Sequence, residues 1–163
     1  MMRTLLAVLA LMIGLSPMVT QATTQVEDVI FLDGQIYPLH TLPLEQYFNS
    51  GHPRPPLRAP HTAMWRGYKA TWEIRGDRLF LKDLEAWTPT GKAGLEAVFP
   101  GRKAPIPATW FTGKLKIPQG KPQKPYVPYP LYAKYLIISV EKGQVMGRQV
   151  LDQPGGPGSL PSR

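Results

Sequence analysis

The chain has 163 residues, carries 19 Lys or Arg against 11 Asp or Glu, and contains no cysteine. That length suits one domain with a single core, and the missing cysteines exclude disulfides, thiolate zinc sites and iron–sulfur clusters. The 19 prolines and 15 glycines stop short of a disorder signature, while 4 Trp, 7 Tyr and 5 Phe supply material for a core.

Residues 1–22 have the layout of a secretory signal peptide. Arg3 precedes an apolar run from Leu5 to Leu15, interrupted at Gly14, and Pro17 leads to Thr20-Gln21-Ala22, a small-residue cleavage site. The run is shorter than the about 20 apolar residues that a spanning helix needs. With no cysteine to accept lipid, cleavage releases the protein, and its expected location is the periplasm or the extracellular space. The expected organisation is a signal peptide over 1–22, one β-rich domain over 23–152, and a disordered Pro/Gly tail over 153–163.

Val29-Ile30-Phe31-Leu32 and Gln35-Ile36-Tyr37 flank Asp33-Gly34, a strong hairpin signal. Pro43 to Phe48 suits one short helical turn, with Thr41 as its cap. Pro53 to Pro60 is too rich in proline to be anything but an extended connector. From Trp65 to Ile74 the pattern alternates, with Tyr68, Ala70, Trp72 and Ile74 on one face and Lys69, Thr71 and Glu73 on the other. Period two predicts a half-buried strand, turning at Arg75-Gly76-Asp77 into Leu79-Phe80-Leu81. In that setting the Arg-Gly-Asp tripeptide reads as a turn rather than an adhesion motif. Lys92 to Phe99 predicts a short helix ended by Pro100-Gly101. Thr109 to Ile117 alternates again, placing Phe111, Leu115 and Ile117 together and Lys114 and Lys116 opposite. A last pair of strands, Tyr135 to Val140 and Gln144 to Val150, brackets Lys142-Gly143. The predicted fold is mainly β: a single antiparallel curved sheet or small barrel with one or two short helices.

Charge is unevenly spread. Between Ala97 and Val140 there is no acidic residue, while Arg102, Lys103, Lys114, Lys116, Lys121, Lys124 and Lys134 lie there. A segment of one sign creates a positive field that attracts anionic partners; the alternative is a solvated face that serves solubility alone.

The strings Pro43-Leu44-Glu45-Gln46-Tyr47-Phe48, Arg54-Pro55, Thr62 to Ile74 (TAMWRGYKATWEI) and Trp110 to Gly120 (WFTGKLKIPQG) occur in an order that resembles a family of small bacterial proteins of no established function. The likeness spans about residues 29 to 150, and it implies a shared fold but no activity.

Chemistry finds little support. Outside the signal segment the serines are Ser50, Ser139, Ser159 and Ser162, and no Gly-x-Ser-x-Gly elbow exists. His40, His52 and His61 lack the close spacing that sets a metal geometry, and read as loop residues. Glu73, Asp77, Asp83 and Glu85 fall mostly on solvent faces of a hairpin, a poor start for glycosidase carboxylates. Gly155-Gly156 opens no helix after a strand, so no phosphate loop is present. No catalytic residue, cofactor or metal is expected.

The most distinctive surface follows Ile117. Pro118, Pro122, Pro125, Pro128 and Pro130 favour polyproline II, whose repeat of three aligns Tyr126, Tyr129 and Tyr132 beside Lys121 and Lys124. Such a ridge either stacks on sugar rings or packs down on the protein's own sheet, covering an edge. Trp65 falls on the face opposite Tyr68 and Trp72, whereas Arg66 shares their inward parity. A buried arginine requires a carboxylate; Glu45 is the expected mate, with ligand anchoring by Arg66 as the alternative. The expected contact set is therefore Lys114, Lys116, Lys121, Lys124, Tyr126, Tyr129, Tyr132, Trp65 and Arg66. These belong to an exported, monomeric, non-enzymatic binding protein. Its expected partners are peptidoglycan, another envelope polysaccharide or anionic lipid. The alternative partner is another exported protein, met as an inhibitor or immunity factor. Export removes it from nucleic acid despite the basic charge.

Overall fold

The computed structural model describes residues 23–124 and 130–153. These hold nine strands in one curved sheet. Strands β1 (Asp28–Leu32) and β2 (Gln35–Leu39) form a hairpin about Asp33 and Gly34, both at positive φ (50° and 79°). This is the left-handed turn that matches strand twist. Strands β3 (Tyr68–Arg75) and β4 (Arg78–Thr88) form the second hairpin. Short β5 (Gly91–Ala93) and β6 (Ile106–Pro107) both line β4. Strands β7 (Gly113–Lys124), β8 (Leu131–Glu141) and β9 (Gln144–Asp152) complete a meander, and the order across the sheet is β2-β1-β3-β4-β9-β8-β7.

Alternation drives one face of β1, β3, β4, β7 and β8 into a common core, whereas β9 stays largely exposed. Ile30, Leu39, Tyr68, Ala70, Trp72, Leu81, Leu115, Ile117 and Ile138 are wholly excluded from solvent, and Phe99 and Phe111 fill the space between them. At roughly 25 cal/mol per Å² of apolar area removed from water, these side chains are the main source of stability in a chain without disulfides. Curvature brings the two edges of the sheet together just past β2. The His40 N–H donates to the Lys116 carbonyl (2.9 Å). The Thr41 hydroxyl donates to the Lys114 carbonyl (2.9 Å) and accepts the Lys116 N–H (2.8 Å). This clip fastens the start of β7 to the end of β2.

Several sequence expectations are corrected here. The sheet is mixed rather than purely antiparallel, because β1 and β3 run parallel with Val29, Ile30 and Phe31 opposite Thr71, Trp72 and Glu73. The long connector from His40 to Gly67 carries the chain back to the start of the sheet, as parallel pairing requires. The expected helical turn over 43–48 and helix over 92–99 are 3₁₀ turns at Pro43–Gln46 and Leu95–Ala97, and a third, not expected, lies at Thr62–Met64. Segments this short, bounded by glycine and proline, cannot repay helix nucleation. Over 92–99 the chain first extends the β4 hairpin as β5. Thr41 caps no helix, since its hydroxyl is committed to β7.

β3 begins at Tyr68, not Trp65. Gly67 stands before it at φ 74°, and a Cβ there would lie 2.9 Å from the Arg58 backbone. Glu73, expected on the solvent face, is buried between Arg75 (2.7 Å) and Lys82 (3.7 Å). After Ile117 the chain does not turn to polyproline II but continues as β7 to Lys124, with its pairing to β8 irregular around Pro122. Prolines are tolerated there because β7 is an edge strand of the sheet.

Candidate functional site: a basic groove on the outer sheet face

Leu115 and Ile117 point into the core, so Lys114 and Lys116 must point out. The ladders extend this outer face across three strands: Lys116 lies opposite Ile137 and then Gln149, and Pro118 opposite Tyr135 and then Leu151. His40, delivered by the clip, overhangs the same face. Its ring centroid is 5.6 Å from that of Tyr135 and 5.7 Å from that of Tyr132. Together with Thr41 and Gln153, these residues line a groove of about 360 Å³. Its floor is apolar, with Tyr135 and Ile137 at 1% and 5% exposure, and its walls carry the two lysines.

The groove has a defined electrostatic character. The Lys116 Nζ sits 4.2 Å from the Tyr135 ring centroid, a cation–π contact that keeps the ammonium over the floor. Lys114 is exposed and free to reach a ligand. On its far side, the His40 Nε2 lies 2.8 Å from Glu27 Oε1, so the negative charge is held behind the histidine. Burial, with Glu27 nearby, raises the Tyr132 phenol above its ordinary value, so it remains protonated. The Tyr135 hydroxyl accepts the Tyr132 backbone N–H at 3.2 Å. Positive groups over an apolar aromatic floor suit an anionic ligand with a flat or ring-shaped apolar face.

Arg66 and Trp65 belong elsewhere. Arg66 is buried at 4% exposure, as its parity implies, but its carboxylate is Asp28, not the expected Glu45. The guanidinium Nη2 donates to Asp28 Oδ1 (3.3 Å) and to the Val26 carbonyl (2.9 Å). Asp28 also accepts from the Ala70 N–H and the Trp72 indole N–H, both at 3.1 Å. Burial nevertheless pushes its carboxyl up to about 6, against the opposing pull of Arg66 and these donors. Glu45 instead takes two hydrogen bonds from Arg54 (3.0 and 2.8 Å) and one from the Tyr68 hydroxyl (2.7 Å). Burial first, then the Asp28 charge and this bond to Glu45, raise the Tyr68 phenol far above its ordinary value. The mate differs because β1 lies beside β3 and brings Asp28 under the residues that precede Ala70, an adjacency the sequence does not announce.

Trp65 is 57% exposed and lies outside the groove-lining set. Of the remaining expected contacts, Lys121 is exposed farther along β7 and Lys124 ends that strand. Tyr132 is 9% exposed and clusters with Tyr135 and Ile137, packed down on the sheet rather than displayed as a ridge. Tyr126, Tyr129, the expected signal peptide over 1–22 and the tail from 154 lie outside the described residues. The structure therefore joins Lys114 and Lys116, with Tyr132 beside them, and separates Lys121, Trp65 and Arg66 from that group. His40, Thr41, Ile137 and Leu151 were not read as site residues; the clip that brings His40 over β7 has no local sequence signal. Among the described residues, no group of three His, Cys, Asp or Glu side chains converges to hold a metal ion. In comparisons with known proteins the chain matches no family model, no curated protein and no solved structure.

Proposed function

We propose that this protein is an exported binding protein whose outer-face groove holds an anionic glycan of the cell envelope. The observation that carries the reading is the pairing of Lys114 and Lys116 with the apolar floor of Tyr135, Ile137 and Leu151 in one groove of about 360 Å³. Leu151, 46% exposed beside the buried Tyr135 and Ile137, offers the apolar face of a sugar ring a place to settle, and acidic substituents meet the ammonium groups at the rim. The groove offers no nucleophile with an adjacent base and no pair of carboxylates, so its chemistry is that of recognition.

The test is retention on purified cell-wall sacculi at low and high salt. Wild-type protein is expected to be retained and to elute as salt screens the lysines. A Lys114→Glu, Lys116→Glu variant is expected to lose retention, while Lys121→Glu, Lys124→Glu keeps most of it. Equal loss in both pairs would show a diffuse charge effect rather than a groove. Binding to vesicles of anionic lipid without retention on sacculi would replace the glycan with a lipid headgroup.

A further inference from the structure

We propose that two copies of this chain join edge to edge through β9, as an antiparallel β9–β9 pair centred on Val150. The sequence leads to a monomer; the strand ladder points the other way. β9 pairs with β8 along its length but meets β4 only where Arg78 faces Gln144. Past that point the edge of β4 is occupied by β6 and β5. From Met146 onward, β9 therefore has a second edge with no strand against it among the described residues.

The direction of the backbone groups follows from one bond. The Gln153 N–H donates to the Ala133 carbonyl at 2.7 Å. In an antiparallel ladder, bonded and non-bonded pairs alternate. With Lys134 opposite Asp152, Leu136 opposite Val150 and Ile138 opposite Arg148, the N–H and C=O groups of Arg148, Val150 and Asp152 aim away from β8. Such a row is a template for another strand. The one bulge of β9 falls at Met146, at the start of the free stretch, which has no proline, and Val150 and Leu151 are 60% and 46% exposed.

Charge selects the occupant. Pairing two β9 strands about Val150 sets Arg148 of each copy opposite Asp152 of the other, and both residues present their backbone groups to the partner. Registers displaced by one step set these charges against Val150, and a further step sets like against like. The neighbours extend the pattern. Arg148 Nη1 lies 3.4 Å from Asp33 Oδ2, and Asp152 Oδ1 lies 3.8 Å from Lys134 Nζ. Across the proposed junction the order becomes Asp33, Arg148, then Asp152 and Lys134 of the second copy, with signs alternating throughout. A two-fold axis through Val150 makes the contact self-complementary and closed, and it places Val150 against itself.

Sedimentation velocity over a concentration series, reaching about 0.5 mM because a contact this small is weak, tests the proposal on the purified protein. The wild type is expected to form a reversible dimer. Val150→Pro removes an N–H aimed at the partner and the side chain that meets its own copy, but no bond to β8, so it is expected to give a monomer with an unchanged thermal melt. Arg148→Asp and Asp152→Arg are each expected to weaken the dimer about tenfold or more by juxtaposing like charges, and the double variant is expected to restore it. If Val150→Pro unfolds, the charge-reversal pair decides alone. A monomeric wild type overturns the proposal, as does a dimer indifferent to the single charge reversals.

Discussion

Arg66→Met removes the buried cation while keeping most of the side-chain bulk that packs over Tyr68. Arg66 and Asp28 are 3% and 0% exposed, and 3.3 Å separates Nη2 from Oδ1. Without the guanidinium, the Asp28 carboxylate keeps only the Ala70 and Trp72 donors in a site with no access to water. Breaking a buried pair by deleting one partner costs about 3–5 kcal/mol, mostly through the charge left behind. That loss is expected at pH 7.5, measured by urea unfolding followed through tryptophan fluorescence. Asp28 already sits near 6 with Arg66 present, and its pKa rises further without it. At pH 5 the carboxyl is protonated, so the deficit of the variant should shrink substantially. Asp28→Asn combined with Arg66→Met removes both charges and should recover most of the stability lost by Arg66→Met alone. A loss below about 1 kcal/mol, the level of a surface pair, or a deficit equal at both pH values, would refute the assignment of Arg66 as a structural partner of Asp28.

Other outcomes follow from the same geometry. The Trp72 indole N–H resonance should titrate with a midpoint near 6, because Asp28 Oδ2 accepts its hydrogen bond and ionises there. The folded group holds its proton up to about 6 while the unfolded one releases it near 3.8. The contribution of Asp28 to stability should therefore fall by about 3 kcal/mol as pH rises through that window. Thr41→Val deletes the two hydroxyl hydrogen bonds of the clip, leaving that of the His40 N–H, and should cost about 1–3 kcal/mol, with faster amide exchange at Lys116 as its local signature. Gly67→Ala forces a Cβ against the Arg58 backbone at positive φ and should destabilise the chain by about 2 kcal/mol in a thermal or urea melt.

Local pattern made the hairpins legible. Asp33-Gly34 and Lys142-Gly143 each lie between runs rich in β-branched and aromatic residues, and both turn as the residues dictate. The inward placement of Leu115 and Ile117 followed from period two, and with it the outward placement of Lys114 and Lys116. What sequence could not supply was adjacency between distant segments. Arg66 announced a buried carboxylate, but choosing Asp28 over Glu45 required the parallel pairing of β1 with β3. The proline-rich run after Ile117 suggested polyproline II, yet pairing with β8 drew its first part into an extended edge strand. The helix expected over 92–99 failed for a local reason: Gly91 and Gly94 leave too short a stretch to nucleate.

The clip between Thr41 and Lys116 joins residues 75 positions apart. The β1–β2 hairpin joins neighbouring residues, but its far edge has its clip partners only in β7. Closure is thus among the most non-local events in the chain, and β-rich topologies of this kind fold over about milliseconds to seconds rather than microseconds. Until β7 is in place, the outer edge of β2 lacks the bonds of the clip. A late closure of this kind ties completion of the fold to the arrival of its last third, where β7 lies.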